Sequence, residues 1–283
     1  MPRSFPPHQK LRPSLLISLT VAALLSGCSQ LNDRHPFVSV KGTETLSSKL
    51  HVPIEEPTGA VISQNRYGPI NCANPDQSSL SLYEPIFVEE FSYYPATAIK
   101  RSGLQEIILC RALDFEGAHR TALPDYDHDA FYLDVERGGA TEEYQRKVIH
   151  HEFFHIIDWK DDGLVYSDDA WVALNANGFK YGRGGKFAQK DPRESVFDSS
   201  LKGFVTRYAM AGVEEDKAET FANMMVNYQL MEERAQNDPV LKSKIVRMKQ
   251  LLQKFDSSFN DEFWALISKR TPVSSLSKNG DKS

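Results

Sequence analysis

Apolar and aromatic positions recur at helical spacing from Ser79 to Tyr94, and the run stops before Pro95, which predicts a helix there. Gln105 to Leu113 holds a short continuous apolar run and reads as a buried strand. Ala130 to Val135, rich in aromatic and β-branched residues, reads as a second strand that Gly138 and Gly139 break. Thr141 is then a good helix N-cap, with Glu142 and Glu143 at the positive end of the helix dipole. That helix should run to about Trp159, with Gly163 shortly after its end. Periodicity fades from about 160 to 207, which predicts a loop-rich section, and returns between Glu214 and Ser268 as mostly helix. Strands come early and helices late, so the expected class is α+β.

The ends of the chain follow other rules. Arg3, Lys10 and Arg12 precede the apolar stretch Leu15–Leu25, which is too short for a permanent membrane span and reads as a secretory signal. Leu25-Ser26-Gly27-Cys28 resembles the bacterial lipobox, which implies lipidation at Cys28 and a membrane anchor. The expected organisation is a signal peptide over 1–27, a polar tether over 28–65, a single domain over 66–270 and a disordered tail over 271–283. Ser29 is not an acidic residue that would favour inner-membrane retention, so in a Gram-negative source the outer membrane is the expected location.

Composition narrows the function classes. With 41% hydrophobic and 25% charged residues the chain is that of an ordinary globular protein, and its net charge of −5 argues against a nucleic-acid partner. Cys72 and Cys110 lack the spacing of a zinc–cysteine site. In an oxidising compartment they can form a disulfide, and a buried free thiol at Cys110 is the alternative.

The chemistry concentrates in His151-Glu152-Phe153-Phe154-His155. Two histidines four apart stand one turn apart on one helix face, so their ring nitrogens can converge on one ion. Zinc favours imidazole nitrogen and, in catalytic sites, keeps a position open. Glu152 sits about 100° around the helix from His151, placed to act as a base without being a ligand. Ile149, Phe153 and Ile156 form a separate apolar face. His150 reads as a flanking or surface residue. Asp158, three residues past His155, either orients a ligand imidazole or is an exposed acid at the helix end.

A third protein ligand must come from elsewhere. Ala218, Phe221, Met225 and Tyr228 form an apolar stripe at helical spacing, and Glu215 and Glu219 lie one turn apart beside it. One of them can bind the metal while the other receives an N–H from a ligand histidine. Glu214 and Asp216 flank Glu215, so a shifted register is open.

HExxH followed by ExxxE on a later helix resembles the gluzincin metallopeptidases. The Asp at His155-Ile-Ile-Asp158, the Tyr seven residues before Glu215 and the run Ala218-Glu219-Thr220-Phe221 resemble more closely the catalytic domain of the anthrax lethal factor. Bacterial lipoproteins described as zinc-binding metallopeptidases are similar as well. The resemblance implies a zincin-like domain with a small N-terminal sheet, one Zn2+ ion, Glu215 as third ligand, Glu219 as acceptor of a ligand N–H and Tyr208 as donor to the transition state. It implies a peptide or protein substrate, with the strand Ala130–Val135 as the upper edge of the cleft. A lipoprotein that keeps zinc without catalysis, acting as a binding or scaffold protein, is the alternative. Gly178–Gly185 reads as a flexible turn near the cleft or a lid, and Trp171 as a core residue.

Overall fold

The computed structural model describes residues 37–39, 43–136, 141–188 and 192–272. The signal peptide, Cys28 and the tail from 273 onward lie outside the described residues. The strands are β1 (Phe37–Ser39), β2 (Ile54–Pro57), β3 (Val61–Asn65), β4 (Gly68–Ala73), β5 (Glu106–Phe115), β6 (Ala118–His119), β7 (Ala122–Asp125) and β8 (Ala130–Asp134). The helices are α1 (Glu44–Leu50), α2 (Gln77–Ser92), α3 (Ala96–Ser102), α4 (Glu142–Asp162), α5 (Asp169–Val172), α6 (Gly185–Ala188), α7 (Val213–Val226), α8 (Tyr228–Ala235), α9 (Pro239–Phe255) and α10 (Asp261–Ile267). The α+β reading holds, and helices also interleave with the early strands.

The long strand β5 organises the sheet. Its first half runs parallel to β2 on one side and to β8 on the other, with Ile107 opposite Ile54 and Phe131. Its second half pairs antiparallel with β4 and β6. Antiparallel β7 closes the far side of β8, with Leu123 opposite Tyr132. Burial explains the composition of the centre. Ile107, Ile108, Leu109 and Cys110 are all inaccessible to solvent, as a strand covered on both faces requires.

Two expectations change at this level. Residues 43–65 are not a tether, because α1, β2 and β3 belong to the domain and Leu46, Leu50, Val52 and Ile54 are core residues. Their scattered polar residues mask a short amphipathic helix and a strand that only β5 reveals. The strand β8 is also not the edge of the sheet, since it is hydrogen-bonded on both sides, and β7 takes the edge. β7 is only four residues long and contains Pro124, so it carries little strand signal of its own.

α4 forms where the sequence places it. Thr141 Oγ1 accepts from Tyr144 N at 3.2 Å, and Gly163 in the left-handed region (φ 75) closes the other end through its N–H to Trp159 O. Its apolar face enters an aromatic cluster in which Phe153 lies 4.5 Å from Tyr94 and 5.1 Å from Phe91 by ring centroids. The opposite side of the helix packs on α7, the more extensive of its helix contacts, and its flank meets β7.

Candidate metal centre

α7 is buried along its whole length, so the acids Glu214, Glu215 and Asp216 in its first turn enter the interior together. Their charge complements the positive end of the helix dipole. Each then meets a different partner. Glu214 reaches toward the backbone N–H of Gly185 at 3.4 Å. Asp216 turns away to accept from Trp171 Nε1 (2.8 Å), Tyr181 Oη (2.5 Å) and Lys244 Nζ (2.7 Å). Glu215 alone faces both rings of α4, with its Oε2 3.0 Å from His151 Nε2 and 3.7 Å from His155 Nε2.

The two imidazole nitrogens are themselves 3.3 Å apart. Among the described residues, His151, His155 and Glu215 form the one group of His, Cys, Asp or Glu side chains gathered closely enough to hold a metal ion. A tetrahedral zinc with ligands at about 2.0–2.1 Å has neighbouring ligand atoms about 3.3 Å apart. The separations of 3.0, 3.3 and 3.7 Å bracket that value, so the donor set fits a zinc ion in both chemistry and spacing.

Residues 125–260 match the model of the family described as "Putative zinc-binding metallo-peptidase". A solved structure from Bacteroides caccae that carries the same description aligns with 81% of this chain and 88% of its own, at 18% identity and a TM-score of 0.52. At that identity the likeness speaks for the fold alone. No protein among the curated ones matches the chain.

The surroundings of the triad are charged and closed. Burial pushes the imidazolium of His151 down, but the carboxylates of Glu215 and Glu219 outweigh it and raise it to about 10. Glu215 shows the reciprocal effect: burial pushes it up, and both imidazoles overcome this to hold it well below the usual carboxylate range. These directions describe the metal-free geometry. A divalent cation would replace the proton as the partner of Glu215 and leave both rings neutral. Glu219 Oε1 lies 2.9 Å from His151 Nδ1, placed to take that N–H and leave the Nε2 lone pair to an ion once a metal is bound. Tyr208 Oη donates to Glu215 Oε1 at 2.9 Å from the short 3-10 turn Tyr208–Met210 just before α7.

Glu152 is the least enclosed of the motif residues, half-buried where the other four are buried. Burial raises its carboxyl, with the His151 and His155 rings and Arg120 acting in the opposite direction. The Glu152 carboxylate in turn helps to raise the phenols of Tyr126 and Tyr166.

Several residues take roles the sequence reading did not give them. His150 is not at the surface. It is wholly buried, with Nε2 2.7 Å from Glu90 and Nδ1 2.6 Å from Tyr94 Oη. One residue's rotation from the ligand face puts it in the core, where a polar network already waits. Asp158 does not receive an N–H from a ligand ring. Lys217 Nζ claims it at 2.7 Å, a partner four residues before Phe221 on α7 that sequence distance hides. Lys147 is the missed member of the site: one turn before His151 on the ligand face, it pairs with Glu219 Oε2 at 3.2 Å and also donates to Ser195 O. The i, i+4 series 147, 151, 155 was its available signal.

The segment Gly178–Gly185 is pinned along its second half. Gly182 N donates to Met210 O (3.0 Å), Gly184 N donates to Ala211 O (2.7 Å), and Tyr181 is held by Asp216. It is a strap laid across Glu215. A Cβ on Gly185 would fall on the Glu215 carboxylate and against Tyr208 Oη, which accounts for glycine there. Trp171 is a core residue as expected, and its Nε1 bond to Asp216 ties the middle of the loop-rich section to α7.

Proposed function

We propose that the protein is a zinc-dependent peptidase that hydrolyses peptide bonds. One observation carries this reading: two imidazoles from α4 and one carboxylate from α7 meet at zinc-ligand spacing, with the half-buried Glu152 in their electrostatic neighbourhood. When bound, zinc supplies Lewis acidity, which makes water nucleophilic near neutral pH and polarises a carbonyl oxygen. His151, His155 and Glu215 hold the ion. Glu219 and Lys147 keep the His151 ring in one tautomer and orientation. Glu152 accepts the proton of the attacking water and hands it to the leaving amine. Tyr208 Oη donates to the oxygen on which negative charge develops. An extended peptide would add to the edge strand β7. Glu152 gives this reading its catalytic half, since a zinc site that only scaffolds has no use for a base on its open side.

We also infer that the chain is exported and anchored through a lipid on Cys28, which rests on the sequence pattern before it. Metabolic labelling with a radioactive fatty acid tests this, and an unlabelled chain refutes it.

The decisive experiment for the reaction is Glu152→Gln. The variant should bind zinc as tightly as the parent while cleavage of a peptide library falls by about 10²–10⁴-fold. A Glu152→Gln protein that still cleaves at the parental rate would overturn the assignment.

A further inference from the structure

The two cysteines of the domain take no part in the reaction above, and their placement is independent of it. Cys72 lies on β4 and Cys110 on β5, which are antiparallel neighbours. The register pairs Ala73 with Arg111, so the cysteines stand just before each of these residues and project together from the other face. They are diagonal neighbours across a twisted ladder, and a disulfide between them requires this part of the ladder to draw their Cα atoms to within about 7 Å. The ladder is irregular at this point. Cys72 of β4 faces two residues of β5, Ala112 and Leu113, so β5 carries the extra residue of a bulge, and Ala112 there adopts a left-handed backbone (φ 53). Both are free thiols in this structure, buried in one small cluster with Val61, Ile70, Ile108, Leu113, Ala130 and Tyr132.

The β3–β4 hairpin that Cys72 belongs to has a second attachment. Ser63 and Asn65 donate to Asp125 at the end of β7, both at 3.3 Å, and Arg66 pairs with Asp127 at 2.5 Å. The hairpin tip therefore buttresses the turn that follows the edge strand.

We propose that Cys72 and Cys110 form a disulfide that pins the β3–β4 hairpin to β5, and through its tip the end of the edge strand, when the chain folds in the presence of a disulfide oxidant. In the first exchange one cysteine thiolate attacks a sulfur of the oxidant, forming a mixed disulfide and expelling one thiolate. In the second, the other cysteine thiolate attacks the mixed disulfide, forming the Cys72–Cys110 bond and expelling the second thiolate. The protein loses two protons and two electrons, and the oxidant disulfide is reduced to two thiols. Burial raises the Cys110 thiol well above its ordinary range, so exchange belongs to folding or to opening of the hairpin.

The test refolds the full chain from urea in a mixture of reduced and oxidised glutathione, then maps it with trypsin without reductant. Peptides 67–100 and 102–111 should appear joined, two hydrogens lighter than their sum, and iodoacetamide should label neither cysteine. Reduction should lower the Tm of the linked protein by several degrees. The same reductant should leave a Cys72→Ser/Cys110→Ser double variant unchanged. Separate alkylated peptides, glutathione adducts on each, or a bond from either to Cys28 would overturn the pairing. A linked protein whose Tm ignores reductant would overturn the pinning.

Discussion

Gly185→Ala sets two parts of the metal centre against each other. The added methyl cannot share space with the Glu215 carboxylate, so either the ligand or the strap must move. Glu215 is held by charge-assisted contacts to His151 and His155 and by the Tyr208 hydroxyl. Hydrogen bonds to charged groups contribute about 1.5–3 kcal/mol each, so expelling the carboxylate costs roughly 4 kcal/mol or more. The strap near this point is held chiefly by Gly182 N to Met210 O and Gly184 N to Ala211 O. Two neutral backbone bonds contribute about 1–3 kcal/mol together. The strap is therefore the softer partner and lifts. The expected result is a loss of about 2 kcal/mol of stability, a Tm lower by roughly 4–8 °C in a domain of this size, and zinc affinity within about threefold of the parent. Amide exchange should accelerate at Gly182 and Gly184. Gly178→Ala is the control: unlike Gly185 it sits at positive φ (82) and has open space around it, so it should destabilise through backbone strain without releasing those amides. Scanning calorimetry, a competitive zinc titration and exchange mass spectrometry read the outcome. A Gly185→Ala protein with parental stability and a collapsed zinc affinity would show that the strap is stiffer than the ligand set, and the reasoning would fail.

Three further outcomes follow from the same geometry. Tyr208→Phe removes the donor at Glu215 and the proposed oxyanion contact, so kcat should fall by about 10²-fold with zinc retained by elemental analysis, and an unchanged kcat would remove Tyr208 from the reaction. Lys147→Met strips Glu219 of its cation, and zinc affinity should weaken by about tenfold through the His151 ring, which a chelator competition measures. Glu90 is fully buried, and although burial pushes it up, His150 and Arg270 hold it at about 2, below its ordinary 4.5. Its folded value is depressed, so the stability it contributes is present above about 4.5 and is lost as pH falls toward 2. Glu90→Gln should therefore cost on the order of 3 kcal/mol in urea unfolding at pH 7, and the gap to the parent should shrink as pH falls through that window. A gap that stays constant from pH 7 to pH 3 would rule out the charged network as its source.

What the sequence disclosed and what it withheld divide along a physical line. α4 was legible because its signals are local: a capping Thr141, acids in its first turn, a left-handed Gly163 and histidines at i, i+4 all lie within one segment. The paired acids of α7 were legible for the same reason, although which of Glu214, Glu215 and Asp216 faces the rings was not. Helical geometry puts these three about 100° apart, and only the docking of α7 on α4 selects one direction for each. The misses are all non-local. β2 exists because β5 pairs with it, β7 is an edge because β8 lies between it and β5, and His150 is buried because Glu90 and Tyr94 come from α2 and the turn after it. The strap is the sharpest case. Glycines in a loop predict freedom when only the chain's own conformational range is weighed, but the glycine at 185 is required because a carboxylate thirty positions later in sequence occupies the space of its Cβ. In this fold the residues that carry the chemistry announce themselves through spacing, whereas the residues that hold them in place depend on partners supplied by distant segments.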